Sequence, residues 1–383
     1  MNKPTTIKTK ETSAGLPSAS GVRVIIAGGG TGGHIFPAIA IANAITRLRP
    51  GTQILFVGAK GKMEMEKVPQ AGYRIEGIDI AGLNRSSIIK NITLPYKLIK
   101  SFFQVSNILK EFKPNAVVGV GGYSSFPVVW LAQMKGIKTF IHESNSFAGK
   151  ANKMLGRKAV KVFVATDGME KFFPAGNLIV SGNPVRESIV HSAVSKEDAI
   201  RFFGLEPNKK TILVIGGSLG ARSINESVAA GIIAFENNGL QLIWQTGKPF
   251  ADQGKDAAAG RSNVWVDDFV IQMEYAYAAA DIVVSRSGAM SIAELCLMKK
   301  PAVFVPFPFA AEDHQTVNAQ KLVDKNAGLL IRDNEAHEKL IPAVISLAND
   351  QQQQETLRIN IGKLAVANAD ELIATEILTA VVN

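Results

Sequence analysis

Short apolar runs alternate with longer amphipathic stretches along most of the chain. Helical periodicity lies between most of the apolar runs, as in Ile35–Leu48, Met273–Ala280 and Ser291–Met298. Nine runs have the length and composition of strands: Val22–Ala27, Gln53–Val57, Ala116–Val120, Thr139–His142, Lys161–Ala165, Thr211–Ile215, Leu242–Gln245, Ile282–Ser285 and Ala302–Val305. Because these strands are apolar throughout, the alternation predicts parallel sheets that are covered by helices on both faces.

The pattern starts afresh near Thr211. The first strand runs into Gly28-Gly29-Gly30, and the strand at Thr211 runs into Gly216-Gly217-Ser218. Two such strand–turn–helix units predict an α/β fold of two doubly wound, Rossmann-like domains, with Gly182-Asn183-Pro184 as the linker. Ligands of such sheets bind beyond the carboxyl ends of the strands, so we expect one interdomain cleft.

Composition and cysteine content narrow the class of protein. Of the 383 residues, 46% are hydrophobic and 20% are charged, which is typical of a globular protein. The single Cys296 excludes an internal disulfide and suits a reducing compartment. Residues 1–20 lack the apolar run of a secretory signal and are expected to form a flexible tail. The uncharged stretch Ala116–Met134 is interrupted by glycines and Pro127, which argues against a membrane span.

Charge is distributed unevenly along the chain, whose net charge is +9. Residues 1–180 hold 24 Lys and Arg against 9 Asp and Glu, whereas residues 181–383 hold 18 against 24. A basic first half suggests that it meets an anionic partner, such as nucleic acid, a phospholipid surface or a phosphorylated substrate. The alternative is that the charge serves solubility alone.

The glycine loop between Gly28 and Gly33 fits the spacing of a dinucleotide fingerprint. That interpretation needs an acidic residue at the end of the second strand, which here ends in Val57-Gly58-Ala59-Lys60. The missing carboxylate argues against a nicotinamide or flavin enzyme. His34 follows the loop and is either a general base or a capping, packed histidine.

Two further strand ends of the first half carry polar residues. Gly119–Ser125 follows one strand, and His142-Glu143-Ser144-Asn145 ends the next. We expect these loops to converge with the first glycine loop on one rim, where His34 or Glu143 could accept a proton from a hydroxyl and Asn145 could orient a ligand.

The second half offers groups suited to a nucleotide diphosphate. Gly216-Gly217-Ser218 is predicted to place N–H groups and a hydroxyl at a helix start, and Arg186 could neutralise phosphate unless it is a surface charge. After Gly288 a helix is expected with Glu294 in its first turn, either gripping ribose hydroxyls or interacting only with the helix dipole. Asp313, His314 and Gln315 are predicted to open another helix. No Asp-x-Asp occurs, so no metal cofactor is expected.

Taken together, these motifs resemble the MurG family, the UDP-N-acetylglucosamine–N-acetylmuramyl-(pentapeptide) pyrophosphoryl-undecaprenol N-acetylglucosamine transferases. The resemblance runs in family order from about Val22 to Gln320. It is carried by Gly28–Ala38, Gly121-Gly122-Tyr123, His142–Asn145, Gly182–Arg186, Gly216–Ala221 and Arg286–Ala289.

The resemblance implies a GT-B fold and an inverting transfer of GlcNAc from UDP-GlcNAc to the 4-hydroxyl of lipid I. It implies an acceptor- and membrane-side domain over residues 21–181, with Gly121, Gly122 and Tyr123 on the acceptor side. It also implies a UDP-GlcNAc-binding domain over residues 182–365 and a C-terminal helix over residues 366–383 that can pack back on the first domain. By motif position, the implied donor contacts are Thr31, Gly32, Gly33, Asn145, Arg186, Ser218, Val270, Ala289, Met290, Ser291, Ile292, Ala293, Glu294 and Gln315.

Two segments depart from the commoner family pattern. Asp268–Met273 lacks the acidic pair that often precedes the Met, so either Val270 or Ile271 could meet uracil. Pro308–Asp313, the segment just before Gln315, is longer than usual.

For the chemistry, His34 is the expected base, with Glu143 as its rival or helper, and Arg186, Ser218 and the helix start near Ala289 are expected to stabilise the pyrophosphate. The lipid-linked acceptor implies a peripheral protein at the cytoplasmic face of the bacterial inner membrane, with cell-wall synthesis proteins as further partners. Nucleic acid is not expected, because few aromatic residues accompany the basic ones.

A basic, apolar stretch is the expected anchor for anionic lipid, unless its apolar residues face the core. It comprises Arg85, Ile88, Ile89, Lys90, Ile92, Leu94, Lys97, Leu98, Ile99, Lys100, Phe102 and Phe103. Two alternatives stay open: another GT-B enzyme, such as a UDP-GlcNAc 2-epimerase or a glycolipid glycosyltransferase, and a non-catalytic nucleotide-sugar-binding membrane subunit.

Overall fold

The computed structural model describes residues 21–82, 92 and 94–382. The predicted tail at residues 1–20 lies outside the described residues, as do Arg85, Ile88, Ile89 and Lys90 of the predicted membrane anchor.

Within the described residues, thirteen strands form two sheets, and every strand pair is parallel. The first sheet contains β1 (Arg23–Ala27), β2 (Gln53–Ala59), β3 (Arg74–Ile78), β4 (Ala116–Gly119), β5 (Lys138–Glu143), β6 (Lys161–Val164) and β7 (Leu178–Val180). The second contains β8 (Lys210–Ile215), β9 (Leu240–Gln245), β10 (Val264–Asp267), β11 (Ile282–Ser285), β12 (Ala302–Phe304) and β13 (Leu329–Leu330). The strand orders are β3-β2-β1-β4-β5-β6-β7 and β10-β9-β8-β11-β12-β13.

The α-helices lie mainly in the crossovers between these strands. They are α1 (Gly32–Leu48), α2 (Glu64–Gln70), α3 (Leu94–Phe112), α4 (Ser125–Met134), α5 (Lys150–Gly156), α6 (Glu187–Val190), α7 (Lys196–Phe202), α8 (Arg222–Asn237), α9 (Ala251–Ala258), α10 (Met273–Ala279), α11 (Ala289–Leu297), α12 (His314–Val323), α13 (Ala336–Asn349), α14 (Gln351–Gly362) and α15 (Ala369–Val382). In the described part of the chain, none of them combines the length and the apolar character needed to cross a bilayer.

All nine strands predicted from the sequence are present, with ends that differ by at most two residues. The four strands that the pattern missed are β3, β7, β10 and β13, which are the edges of the two sheets. An edge strand is partly exposed, as in β10, where no residue is fully buried. Its sequence therefore lacks the continuous apolar run that marks a central strand.

Helices cover both faces of each sheet, as predicted. Along β1, Val24 and Ile26 pack into one core and Ile25 and Ala27 into another, because successive side chains of a strand point to opposite faces. The same division places β8 residues in two cores of the second domain.

The chain crosses between the domains twice, and the two crossings touch. Gly182 has φ +77°, and a Cβ on it would lie 2.7 Å from Val366. Asn183 donates through Nδ2 to Ser144 O of the first domain at 3.0 Å and to Ala289 O of the second at 3.4 Å. After the second crossing, α15 packs against α1 and buries Ile373 and Ile377 in the first-domain core.

Candidate active site

His34 occupies the first turn of α1, directly after the glycine loop that follows β1. Its Nδ1 lies 3.1 Å from Gly29 O and 3.4 Å from Thr31 Oγ1. A carbonyl oxygen only accepts hydrogen bonds, so the contact with Gly29 assigns the proton to Nδ1 and leaves the lone pair on Nε2. Thr31, Gly32 and Gly33, three of the predicted donor contacts, lie immediately before it in the chain.

Burial lowers the pKa of His34 below its usual value of 6.5. Three interactions oppose this effect and raise the pKa of His34: the charge of Glu143, the hydrogen bond to Gly29, and the charge of Glu64. His314, at the start of α12, lowers it further from the other side of the cleft. The ring is therefore neutral at neutral pH, which is the state that can accept a proton.

The second glycine loop, between β4 and α4, packs directly on the first. Gly122 has φ +80°, and a Cβ on it would lie 2.5 Å from Gly29 O, so glycine is required there. A Cβ on Gly121 would lie 2.8 Å from His34 Nε2. Of the predicted acceptor-side residues, Gly121 thus lies against the candidate base and Gly122 against Gly29 of the first glycine loop, and the half-buried Tyr123 follows them.

Glu143, at the end of β5, organises the loop that follows it. Its Oε1 accepts from Asn145 N at 3.1 Å and from Asn145 Nδ2 at 3.3 Å. Its Oε2 accepts from Gly149 N at 3.0 Å and from Asn152 Nδ2 at 2.9 Å. With four donors and a side chain only 4% exposed, this carboxylate holds the loop and is not presented to the cleft as a base.

In the second domain, Ser218 lies on an exposed loop between β8 and α8. The prediction that it stands at a helix start is wrong, because α8 begins only at Arg222. The intervening residues form a turn in which Gly220 N donates to Gly217 O at 2.9 Å. Gly220 has φ +75°, and a Cβ on it would lie 1.9 Å from Thr246 O, so the turn requires glycine at this position.

Arg186 and Glu294, which are 108 residues apart in the sequence, form one largely buried cluster. Arg186 donates through Nε and Nη2 to Glu294 Oε1 at 3.1 and 2.9 Å. Tyr277 donates its hydroxyl hydrogen to Glu294 Oε2 at 2.8 Å. The Arg186 guanidinium also lies 4.8 Å from the centre of the Phe36 ring on α1, so the cluster reaches the first domain.

The placement of Glu294 in the first turn of its helix is wrong. Helix α11 begins at Ala289, directly after Gly288 as expected, so Glu294 is its sixth residue and lies in the second turn. An interaction with the helix dipole alone does not account for it there, since that effect is confined to the first turn. Gly288 leaves the start of α11 without a side-chain cap among the described residues, and the N–H groups of Ala289, Met290 and Ser291 open the helix. Ile292 and Ala293 follow and are partly buried.

The two remaining predicted donor contacts lie on different segments. Gln315 accepts from Phe307 N through Oε1 at 3.0 Å, and its carbonyl accepts from Ser287 Oγ at 2.8 Å, which fixes α12 to the loop before α11. Val270 is 2% exposed, whereas Ile271 is 75% exposed. Val270 belongs to the domain core, so only Ile271 presents its side chain to solvent; the contact of either with uracil stays a prediction.

Sequence reasoning missed Glu64 and Tyr277. The dinucleotide fingerprint requires a carboxylate at the end of β2, whereas Glu64 lies five residues after that strand and is the first residue of α2. Tyr277 lies in a short helix that also contains Tyr275, and nothing in the sequence indicates which of the two hydroxyls is buried. Within residues 21–82, 92 and 94–382, no three His, Cys, Asp or Glu side chains are grouped to hold a metal ion.

Comparisons with known proteins agree with this architecture. The glycosyltransferase family 28 N-terminal domain matches residues 24–164, and the family 28 C-terminal domain matches residues 211–373. A protein of Bacteroides thetaiotaomicron is 50% identical over 361 residues, covering 93% of this chain and 97% of its own length. A protein of Phocaeicola vulgatus is 49% identical over 359 residues, with 93% and 96% covered. Both are named UDP-N-acetylglucosamine–N-acetylmuramyl-(pentapeptide) pyrophosphoryl-undecaprenol N-acetylglucosamine transferase.

Solved structures share the two-domain arrangement. The crystal structure of Acinetobacter baumannii MurG matches with a TM-score of 0.72 at 29% identity, covering 94% of this chain and 99% of that one. A UDP-GlcNAc 2-epimerase from Neisseria meningitidis matches with a TM-score of 0.65 at 15% identity, covering 94% and 100%, and shows the shared fold alone. The facing Rossmann-like domains are those of a GT-B enzyme, and the chain belongs to the MurG family of glycosyltransferases, within glycosyltransferase family 28.

Proposed function

We propose that this enzyme transfers GlcNAc from UDP-GlcNAc to the 4-hydroxyl of MurNAc in undecaprenyl-pyrophosphoryl-MurNAc-pentapeptide, converting lipid I to lipid II in peptidoglycan synthesis. The observation that carries this assignment is the identity of about 50% with relatives of that name over 93% of the chain. The cleft geometry supports the same reaction, since a neutral histidine lies beside both glycine loops.

His34 is the proposed general base. Its Nε2 accepts the proton of the acceptor 4-hydroxyl while that oxygen attacks the anomeric carbon from the face opposite UDP, which inverts the configuration. The bond to UDP breaks and its electron pair leaves on the diphosphate. Glu143 helps without taking the proton, since its negative charge raises the pKa of His34 and stabilises the imidazolium that forms.

The departing diphosphate is stabilised by Arg186, Ser218 and the opening N–H groups of α11. Arg186 uses Nε and Nη2 to hold Glu294, which leaves its Nη1 outside that pair. The uncapped start of α11 provides N–H groups and the positive end of the helix dipole. Since these groups supply positive charge without an Asp-x-Asp pair, the reaction is proposed to need no metal ion.

The donor is proposed to lie mainly on the second domain. Glu294 would accept from the ribose hydroxyls, while Val270 or Ile271, Ala289–Glu294 and Gln315 line the nucleotide side. Thr31, Gly32, Gly33 and Asn145 would contact the GlcNAc from the first domain, beside His34.

The test is release of UDP from UDP-GlcNAc, measured with and without a lipid I analogue. We expect release to require the analogue and to persist in excess EDTA. The matched control is the same analogue with hydrogen in place of the MurNAc 4-hydroxyl, which should support no release. Turnover that is independent of the acceptor would favour the epimerase alternative, and the absence of any turnover would favour a binding subunit.

The protein is also proposed to bind the membrane surface through α3, at the cytoplasmic face of the inner membrane. Tyr96, Ile99 and Phe103 are 69%, 58% and 71% exposed at helical spacing, and Ile92 before the helix is 72% exposed. Tyr96, Ile99 and Phe103 therefore do not face the core. Phe102, on the same helix, does pack inward, with its ring centre 5.1 Å from that of Trp130. Lys97 and Lys100 supply positive charge on the same helix.

Flotation with vesicles tests this proposal. Binding is expected with phosphatidylglycerol vesicles and not with purely zwitterionic ones, and it should weaken as salt rises. The double variant Ile99→Ser/Phe103→Ser should lose binding. The control Ile233→Ser/Ile359→Ser alters two exposed apolar residues of the second domain and should retain it. If the protein does not bind phosphatidylglycerol vesicles even at low salt, the proposal is overturned.

A further inference from the structure

Glu64 is a buried carboxylate to which the reaction described above assigns no task. It is the first residue of α2 and only 1% exposed. Its Oε1 accepts from Ala59 N at 3.0 Å, and its Oε2 accepts from Gly30 N at 2.9 Å. Burying an ionisable group to this degree costs free energy unless hydrogen bonds compensate for the lost solvation.

The second of these bonds leads directly to the candidate base. Gly30 N belongs to the Gly29–Gly30 peptide group, and the carbonyl of that same group accepts from His34 Nδ1 at 3.1 Å. The carboxylate, the peptide and the imidazole therefore form one continuous chain of hydrogen bonds. Each bond of such a chain polarises the next. When the amide N–H donates to a carboxylate, electron density shifts onto the oxygen of the same peptide group, which becomes a stronger acceptor.

We propose that Glu64 is the positioning residue of His34 and acts through the Gly29–Gly30 peptide. The inference rests on the proposed function, which makes His34 the base. The arrangement performs the task of the carboxylate in a carboxylate–histidine pair, with a peptide group inserted between the two side chains. It holds the ring in the Nδ1–H form, directs Nε2 to the acceptor side, and stabilises the imidazolium once the proton has been taken.

The glycines around Glu64 show that the chain makes room for this contact. A Cβ on Gly29, whose φ is +148°, would lie 2.4 Å from the Glu64 carboxyl group. A Cβ on Gly58 would lie 2.5 Å from the Glu64 side chain. Only a residue without a side chain lets the carboxylate reach the backbone at these two positions.

Several charged or titratable groups act on His34, and Glu64 is one of them. Glu143 on β5 and Glu64 on α2 raise the pKa of His34, while His314 on α12 lowers it. His142 on β5 interacts electrostatically with His34, and burial lowers the pKa of His142 to about 4, so it is neutral in the working range. Removal of the Glu64 charge alone should therefore lower the pKa of His34.

The first experiment compares Glu64→Gln with Glu66→Gln, which removes the same charge from an exposed position on the same helix. Glu64→Gln is expected to lower kcat by about tenfold, the low end of the loss that follows when the hydrogen-bond partner of a metal-bound histidine is replaced, because here a peptide group separates the carboxylate from the ring. KM for UDP-GlcNAc should change less than about twofold, because the donor contacts are untouched. The acidic limb of the pH profile should move to lower pH, since a base of lower pKa stays unprotonated further into the acid range. Glu66→Gln should match the wild type in all three.

The double variant His34→Ala/Glu64→Gln separates positioning from folding. If Glu64 acts through His34, the double variant is no slower than His34→Ala alone, since the shared contribution is lost only once. Additive losses, or an acidic limb that stays in place in Glu64→Gln, would overturn the proposal and indicate a structural role.

A measurement on the wild-type enzyme keeps the proposal testable even if Glu64→Gln does not fold. Nitrogen NMR of the labelled protein, with the His34 signal identified by its loss in His34→Ala, reports which ring nitrogen carries the proton. The Nδ1–H form supports the inference, and the Nε2–H form contradicts it. This readout needs no turnover, so it can fail while UDP release succeeds, and the two proposals remain distinguishable.

Discussion

At the scale of single residues, His34 and Glu143 lie at the same edge of the first sheet but differ in what their hydrogen bonds leave free. His34 has its Nδ1 bound to a carbonyl and a pKa lowered by burial, so Nε2 is free to take a proton. Glu143 has both oxygens occupied by donors from the loop that follows it and from α5. The geometry thus favours the imidazole as the base and gives the carboxylate an organising and electrostatic task.

Replacement of His34 by alanine should lower kcat by roughly 10²–10⁴-fold, the usual contribution of a general base. Binding of UDP-GlcNAc should change little, as measured by calorimetry, because the nucleotide contacts lie on the second domain. His337→Ala removes an exposed histidine and should leave kcat unchanged. A loss below about tenfold in His34→Ala would exclude His34 as the base.

At the scale of elements, helices α10 and α11 and the segment before α6 meet at the carboxylate of Glu294. Tyr277 comes from α10, Glu294 from α11, and Arg186 directly precedes α6. The two donors bind different oxygens and so fix the plane of the carboxylate before any ligand arrives. A pre-oriented carboxylate suits the pair of adjacent hydroxyls on a ribose.

Replacement of Tyr277 by phenylalanine removes one of these donors and keeps the buried ring. KM for UDP-GlcNAc should rise about tenfold with little change in kcat, since a hydrogen bond to a charged group is worth about 1.5 kcal/mol. Steady-state kinetics with varied UDP-GlcNAc measure the effect. Tyr275→Phe is the matched control on the same helix, because the Tyr275 ring packs against Phe202 instead. Equal KM values in the two variants would contradict this account of Glu294.

At the scale of the whole molecule, the chain returns to the first domain after completing the second. Helix α15 packs against α1, and Ile373, Ala374 and Ile377 join the core of the first sheet. Arg47 of α1 forms ion pairs with Asp370 of α15 at 3.3 Å and with Glu187 of α6 at 3.3 Å. The exposed ion pairs contribute little, so the apolar contact of α15 is what stabilises this closure.

Replacement of Ile377 by alanine should therefore destabilise the first domain. The expected loss is about 2–5 kcal/mol, as for other fully buried Ile positions. Leu372→Ala, at a position of the same helix that is 39% exposed, should change the free energy of unfolding by about 0.5 kcal/mol or less. Chemical denaturation of both variants measures the difference. Similar stabilities would show that α15 is not part of the first-domain core.

Local pattern alone determined the central strands, both glycine loops and the division into two similar domains. Each central strand is buried on both faces, so its apolar run is visible within a few residues. The pattern did not predict the edge strands β3, β7, β10 and β13, because a half-exposed strand contains both polar and apolar residues. The motifs also identified the family, since glycines needed for a backbone turn occur at fixed places in the sequence.

Tertiary structure alone decided which side chains meet. Glu64 reaches Gly30 across 34 residues, and Arg186 reaches Glu294 across 108. Such contacts depend on strand order and on how the crossover helices pack, and neither is recorded in a short window of sequence. The sequence pattern favoured His34 as the base but left Glu143 as its rival or helper. Only the folded protein distinguishes them. The partners of Glu143 and His34 lie within nine residues of them in the sequence, but the backbone path of each loop decides that they meet.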